Sequence, residues 1–599
     1  MSEKSPNRKQ SSGVKKVAGF SLFLLFVFVP LIRAEKLSYS LAVDEELFKT
    51  VAITIDVAET SQKRLVFSMP IWIPGSYTVK PFGENVMNFR ASSGENRSLP
   101  VTRLSREDWE VQSGGNDEIS VNYDLLISNG GLIGEGLDSS GALLQAASTW
   151  MYVRDLENLP AEVRISAPMG WQIATGMTEN DHQSAFTVHD YDELADCPIF
   201  MGDLDDTLFY HLGKPHEIYF RGKADFDRPA FVAMVEKIVR YQTGLFNDVP
   251  YDRFVFQYTL RDDRIGGGGL EHLNSTSIVL SAPQLISDVH SAASITAHEF
   301  FHLWNVKRIS SDQLIPLRYD REPRMESLWW LEGVTSYYAD LTLVRTGIWS
   351  VEEFLEHQEK EIVTLRQNPD RLVTSVAEAS WAIWENGYYS QKISYYNKGQ
   401  LIGLVLDLTI RKVTQNRKSL DDVLIYLYDN YGRRSRGFSD NELESVVDKI
   451  TGTGFGPFFD RYVTGLVEIP FEELLLFAGL RAEILEKKTP TIGRVRFLSD
   501  NNRIYSIDSK SAASKAGLRR SDQLVMADGE KITSQEKLAE IIENKSIGDT
   551  LRVLALRDGF EMSFDVVVDC FDQVECTIDI LKEATPEQLA IRNGLLTGK

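Results

Sequence analysis

The chain has 599 residues, of which 43% are hydrophobic and 25% charged, the profile of a folded protein of about three domains rather than a disordered one. Its 86 acidic against 64 basic residues give a formal net charge of −22, a field that repels a phosphate backbone and argues against a nucleic-acid partner. Three cysteines, Cys197, Cys570 and Cys576, are too few for a disulfide framework.

Lys4, Arg8, Lys9, Lys15 and Lys16 precede the apolar run "VAGFSLFLLFVFVPLI", after which "RAEK" returns to polar sequence. This is a charged flank followed by the apolar stretch of a secretory signal, with Ala34 as the last residue before cleavage. Ile32 fits poorly where a small residue is expected, so an uncleaved membrane anchor is the alternative for residues 1–34. Both place the protein outside the cytoplasm, in a bacterial periplasm or cell envelope.

Residues 36–205 are strand-rich. "TVAITIDVA", "RLVFSMPIWI" and "AEVRISAP" alternate or carry β-branched residues between turn signals, which predicts a β-sandwich-like domain. From 206 to 478 the period changes: "RPAFVAMVEKIVRYQTGLF" reads as an amphipathic helix, "RFVFQYTL" as a strand, and long helical stretches follow. From 479 to 570 a compact unit of short strands and two helices is expected, and 571–599 reads as a poorly packed tail. Cys570 and Cys576 are close enough in sequence to pair, and Cys197 reads as a buried small residue.

"ITAHEFFHLWNVKRI", 295–309, carries the chemistry. His298 and His302, four apart on a helix, present two imidazoles to one point, and Glu299 beside them is placed to take a proton from a metal-bound water. A catalytic zinc keeps a third protein ligand. Arg308 stands where one class of zinc protease has a third histidine, and His357 lies in the very polar "EEFLEHQEKE", which reads as a solvated helix face. Among Glu322, Glu326 and Glu332, only Glu332 sits in a strongly apolar segment, "SLWWLEGVTSYYADL", where a buried carboxylate needs a partner such as a metal. One zinc per chain is expected.

Upstream, "RIGGGGLEHLNST" joins four glycines, Gly266 to Gly269, to Glu271 and His272. Backbone at Gly268 and Gly269 can run close along a peptide, and Glu271 can bind a free α-ammonium. Downstream, "KISYYNKGQLIGLVLDL" opens a helix with Tyr395 and Tyr396, one of which could aim a phenol at an oxyanion.

"GGGLEH", "HEFFHLWNVKRI", "LEGVTSYYADL" and "YYNKG", in this order, resemble the glycyl aminopeptidase family of zinc peptidases, which pair a gluzincin (thermolysin-like) catalytic domain with a C-terminal PDZ domain. "PIWIPGSYTVKPF", "GWQIATG" and "YDELADCPIFMG" are similar to that family as well, and the likeness runs from about 38 to 570. It implies a multidomain α+β protein with zinc on His298, His302 and Glu332. It also implies Glu299 as general base, Glu271 on the substrate amino terminus, Tyr396 as the oxyanion donor, and removal of small N-terminal residues, glycine or alanine. Leu331 and His272 depart from the asparagines of the wider gluzincin aminopeptidases. "SKSAASKAGLRRSDQLVMADGEKI" is similar to bacterial PDZ domains; "TIGRV" falls where their carboxylate-binding loop lies, so amides near Ile492 and Gly493 are candidates to receive a peptide C-terminus. An exported zinc endopeptidase and a peptide-binding scaffold with a vestigial site are the alternatives.

Overall fold

The computed structural model describes residues 35–598, apart from 131–132, 181–183, 264–266, 388–391 and 499–500. The signal or anchor segment 1–34 and Gly266 of the glycine run lie outside the described residues. Among the described residues, no helix is long and apolar enough to cross a membrane.

The N-terminal part is β-rich. Lys36–Val43 pairs antiparallel with Thr50–Ala58 and parallel with Ala161–Ser166, at the centre of an eight-stranded sheet. Two four-stranded sheets lie against it. Side chains of all three, such as Ile53 and Val121 with Phe67 and Trp109 and with Leu144 and Ile199, form one core. Alternation produces this: along Ala161–Ser166 every second residue is buried, because side chains of a strand point to opposite faces.

A five-stranded sheet follows, in the order Asp205–His211, Lys214–Arg221, Phe254–Arg261, Ser275–Ser281, Gly269–Glu271. The helix Arg228–Phe246 is the crossover between two parallel strands. Asp227 caps its start by accepting from the Ala230 amide, and Asn247 ends it in a left-handed conformation. Gly269–Glu271 is an antiparallel edge strand, with Glu271 opposite Thr276. The helix Ala293–Phe301 packs across this sheet. Thr335–Arg345, Val351–Gln367 and Tyr395–Val413 complete a largely helical layer, so the whole is a multidomain α+β protein.

The PDZ-like unit has its own core, from Ile492 to Val568. The segment Leu480–Thr491 does not belong to that core. It pairs over twelve residues with Asp569–Ile580, so a two-stranded ribbon joins the unit to the rest of the chain. Cys570 and Cys576 lie six residues apart on one extended strand of the ribbon, a span of about 20 Å that no disulfide bridges. Cys197 is buried.

Residues 571–599 are not the poorly packed tail expected from the sequence. After the ribbon, the helix Pro586–Thr597 returns to the catalytic layer and buries Ile591 and Leu595 completely in its core. Arg345 Nε donates to the Leu595 carbonyl (2.8 Å), and Lys412 pairs with Glu587 (2.8 Å). Two fully buried apolar residues four apart, with Leu596 partly buried beside them, mark the packed face, too little to read as amphipathic. The start was legible: Thr585 and Gln588 form a capping box with Pro586 at the first helical position. Leu595→Ala should destabilise the whole protein by about 2–5 kcal/mol in denaturant unfolding, and a freely attached tail would leave the midpoint unchanged.

Candidate active site

The helix Ala293–Phe301 ends just before His302, and the chain turns away through Leu303 and Trp304. His298 Nε2 lies 3.0 Å from His302 Nε2. Glu332 Oε2 lies 3.5 Å from the first and 3.2 Å from the second. Ligand atoms about 2.0–2.1 Å from a tetrahedral zinc are about 3.3 Å apart, so this triangle fits a zinc-sized ion. Glu332 reaches it from a wider, π-helical turn, Trp329–Val334, a distortion that recurs at functional sites.

The other ring nitrogens are engaged. His302 Nδ1 faces the Asn305 carbonyl (2.7 Å) and His298 Nδ1 faces Ser336 Oγ (3.3 Å), which directs the Nε2 lone pairs inward. Asn305 Nδ2 in turn donates to the Trp330 carbonyl (2.9 Å) and to Thr335 Oγ1 (3.0 Å), tying the turn after His302 to the segment that carries Glu332. Burial opposes ionisation of Glu332, but the two histidines hold its carboxyl far below the usual range, and Glu332 raises His302 in return.

Glu299 faces the edge strand. A Cβ on Gly269 would stand 2.3 Å from Glu299 Cδ, so only glycine lets strand and carboxylate approach this closely. Burial, with Glu271 and Glu332 nearby, pushes the Glu299 carboxyl well up. Gly268 offers its carbonyl to the Val279 amide (3.0 Å) and holds the strand to the sheet. Glu271 is 4% exposed, and its Oε1 has no hydrogen-bond partner among the described residues. Carboxylate oxygens of Glu271 and Glu299 and a His302 nitrogen lie within 4.8 Å of one another. The Tyr396 ring is 6.1 Å from His298 and stacks on Tyr395, and burial, then Glu332, pushes its phenol well up. The structure thus gathers His298, Glu299, His302, Glu332, Glu271, Gly269 and Tyr396 in one place. Ile492 and Gly493 belong to the separate PDZ-like unit, where Ile492 is buried and the Gly493 amide donates to Thr491 Oγ1 (3.0 Å).

Sequence reasoning missed the residues that lock this site. Tyr77, from the β-rich part, donates to Glu332 Oε1 (3.1 Å). It stands in the quoted "PGSYT" segment, but nothing local marks it as reaching Glu332, 255 residues away. Lys307, to which the sequence assigned no role, pairs with the buried Asp196 (2.7 Å). Asp196 also accepts from the Leu273 amide (2.6 Å) and sits 3.3 Å from His272 Nδ1. His357 is not on a solvated face: it is half-buried, with Nε2 3.5 Å from Asp340.

Two imidazoles at the end of one helix, a carboxylate from a later helical segment and a buried glutamate beside them could hold a metal ion and activate a water there. Residues 38–203 match the Peptidase M61 N-terminal domain, 291–402 the M61 glycyl aminopeptidase family, and 490–568 the PDZ domain. In chain order, these are matches to the N-terminal domain and the peptidase domain of the M61 family and to a PDZ domain. No curated protein matches it. Among solved structures it is similar to an aminopeptidase N family protein from Idiomarina loihiensis, with 24% identity and a TM-score of 0.84, covering 94% of this chain and 100% of that one. An M1 zinc metallopeptidase from Deinococcus radiodurans has 13% identity and a TM-score of 0.45, covering 70% and 90%.

Asp196 joins the two halves of the site. Burial opposes its ionisation, but Lys307 and then His272 push its carboxyl down to about 2. Its contribution to stability is thus fully present above the unfolded value of about 4 and is lost as pH falls toward 2. Asp196→Ala leaves Lys307 buried and unpaired, and should cost about 3–5 kcal/mol at pH 7 in denaturant unfolding, a cost that shrinks at pH 2–3.

Proposed function

We propose that this protein is an exported, zinc-dependent aminopeptidase that removes small N-terminal residues from peptides, with one zinc per chain held by His298, His302 and Glu332. Formal charge supports the reading. Glu271, Glu299 and Glu332 place three carboxyl groups in a buried site where Lys307, beside them, is already paired with Asp196. A bound dication and a substrate ammonium would let all three ionise together. The observation that carries the exopeptidase assignment is the orphaned Oε1 of Glu271, a buried acceptor in wait of a donor.

The zinc, when bound, would polarise the attacking water and the scissile carbonyl. Glu271 fixes the amino end, and the substrate backbone lies along Gly268 and Gly269. Glu299 takes one proton from the attacking water as its oxygen bonds to the carbonyl carbon, and delivers that proton to the departing nitrogen as the C–N bond breaks. Tyr396, which stays protonated, donates a hydrogen bond to the developing oxyanion. Tyr77 holds Glu332 Oε1, so that Oε2 points at the histidines.

The resemblance supports glycine or alanine as the released residue. The basic and apolar segment before Ala34 supports export to the periplasm or envelope, as a cleaved signal or an anchor. The PDZ domain would bind a peptide C-terminus at the loop of Ile492 and Gly493.

Purified protein should release the amine from glycyl- and alanyl-arylamides, lose that activity to a chelator and regain it with zinc. Glu299→Gln should lower kcat by about 10³-fold while still binding one zinc per chain by metal analysis. Glu271→Gln should raise KM for free peptides, and the parent enzyme should leave N-acetylated peptides intact. Cleavage of acetylated and free peptides at equal rates would instead mark an endopeptidase.

A further inference from the structure

Two cavities flank the candidate catalytic residues. One, of about 400 Å³, contains Glu271, Tyr77 and Lys307. The other, of about 530 Å³, is lined by His298 and Tyr396 and also by Asp340, His357 and Glu361. The edge strand links them, with Gly267 on the wall of the second and Glu271 on the wall of the first. A peptide held by its amino end at Glu271 and laid along this strand turns the residue after the scissile bond into the second cavity.

Half of the described wall of that cavity is hydroxyl and amide side chains, with no lysine or arginine among its described residues. Asp340 is buried on it. Its Oδ2 accepts from Gln358 (2.9 Å) and Gln400 (2.6 Å) and lies 3.5 Å from His357 Nε2, so both amides crowd one oxygen. Glu361 gives Oε2 to Asn397 and keeps Oε1 4.0 Å from His357 Nε2. Two carboxylates thus face one imidazole. Burial pushes the Asp340 carboxyl up to about 7, a shift that a seated cation reverses.

We propose that this cavity receives the side chain following the scissile bond and selects lysine or arginine there, with Glu361 and Asp340 as the specificity residues. The inference rests on the aminopeptidase reading and adds the second substrate residue to it. His357 lines the cavity beside Asp340 and Glu361 and packs its ring on Trp349 (5.2 Å).

The test uses the full, zinc-loaded chain and the peptides Ala-Lys-Ala, Ala-Leu-Ala and Ala-Glu-Ala, with release of the first alanine as readout. We expect kcat/KM to be on the order of tenfold higher for the lysine peptide than for the leucine peptide, and lowest for the glutamate peptide. Glu361→Lys should reverse the lysine-to-glutamate order. Because Asp340 lies in the core, Glu361, on the cavity wall, carries the test, and Asp340→Asn should reduce the lysine preference wherever it folds. Equal rates for the lysine and leucine peptides, or an unchanged order in Glu361→Lys, would overturn the proposal. Failure of the aminopeptidase reading looks different: no member of the series releases alanine, or N-acetylation does not slow cleavage.

Discussion

The structure turns on a charge problem. Three glutamates are buried around two imidazoles, in a low-dielectric setting where like carboxylates cannot all ionise without compensation. Much of the surrounding architecture arranges the donors that make this tolerable. The π-helical turn aims Glu332, the Asn305 amide ties the ends of two helical segments together, and Ser336 and the Asn305 carbonyl orient the imidazoles. Such second partners fix the tautomer and orientation of imidazole and carboxylate groups.

The β-rich domain is part of this apparatus rather than an appendage. Tyr77 reaches Glu332, and Asp196 holds both Lys307 after His302 and the backbone after Glu271. Gly75 fits directly over the Glu271 carboxylate, where any Cβ would collide at 2.7 Å. Glu271 is therefore walled by one domain and borne by another. Cavities at such junctions are common binding sites because two rigid walls enclose what neither can alone.

How much of this the sequence disclosed depends on distance along the chain. His298, Glu299 and His302 were legible because helical periodicity alone brings them together. Glu332 was legible because a carboxylate between Trp330 and Val334 is costly without a partner. The helix Arg228–Phe246 could be read to the residue from its cap, its proline and its apolar stripe. Tyr77, Asp196 and Asp340 were not, since each acts across domain or helix contacts that leave no local pattern. Lys307 and Asn305 sat in plain view in "LWNVKR", but their roles depend on partners far away. His357 was misjudged because its neighbours in sequence are charged, whereas its neighbours in space are Trp349 and Asp340.

The two-stranded ribbon changes what kind of appendage the PDZ domain is. Because Leu480–Thr491 and Asp569–Ile580 run side by side, and the final helix is anchored again beside Arg345, that domain is looped out of the peptidase body as an insertion, not hung from its end. Its entry and exit are neighbours. Two paired strands, rather than a single linker, join it to the body. The same topology makes the module separable: a short turn could replace 492–568 and still bring the closing helix home.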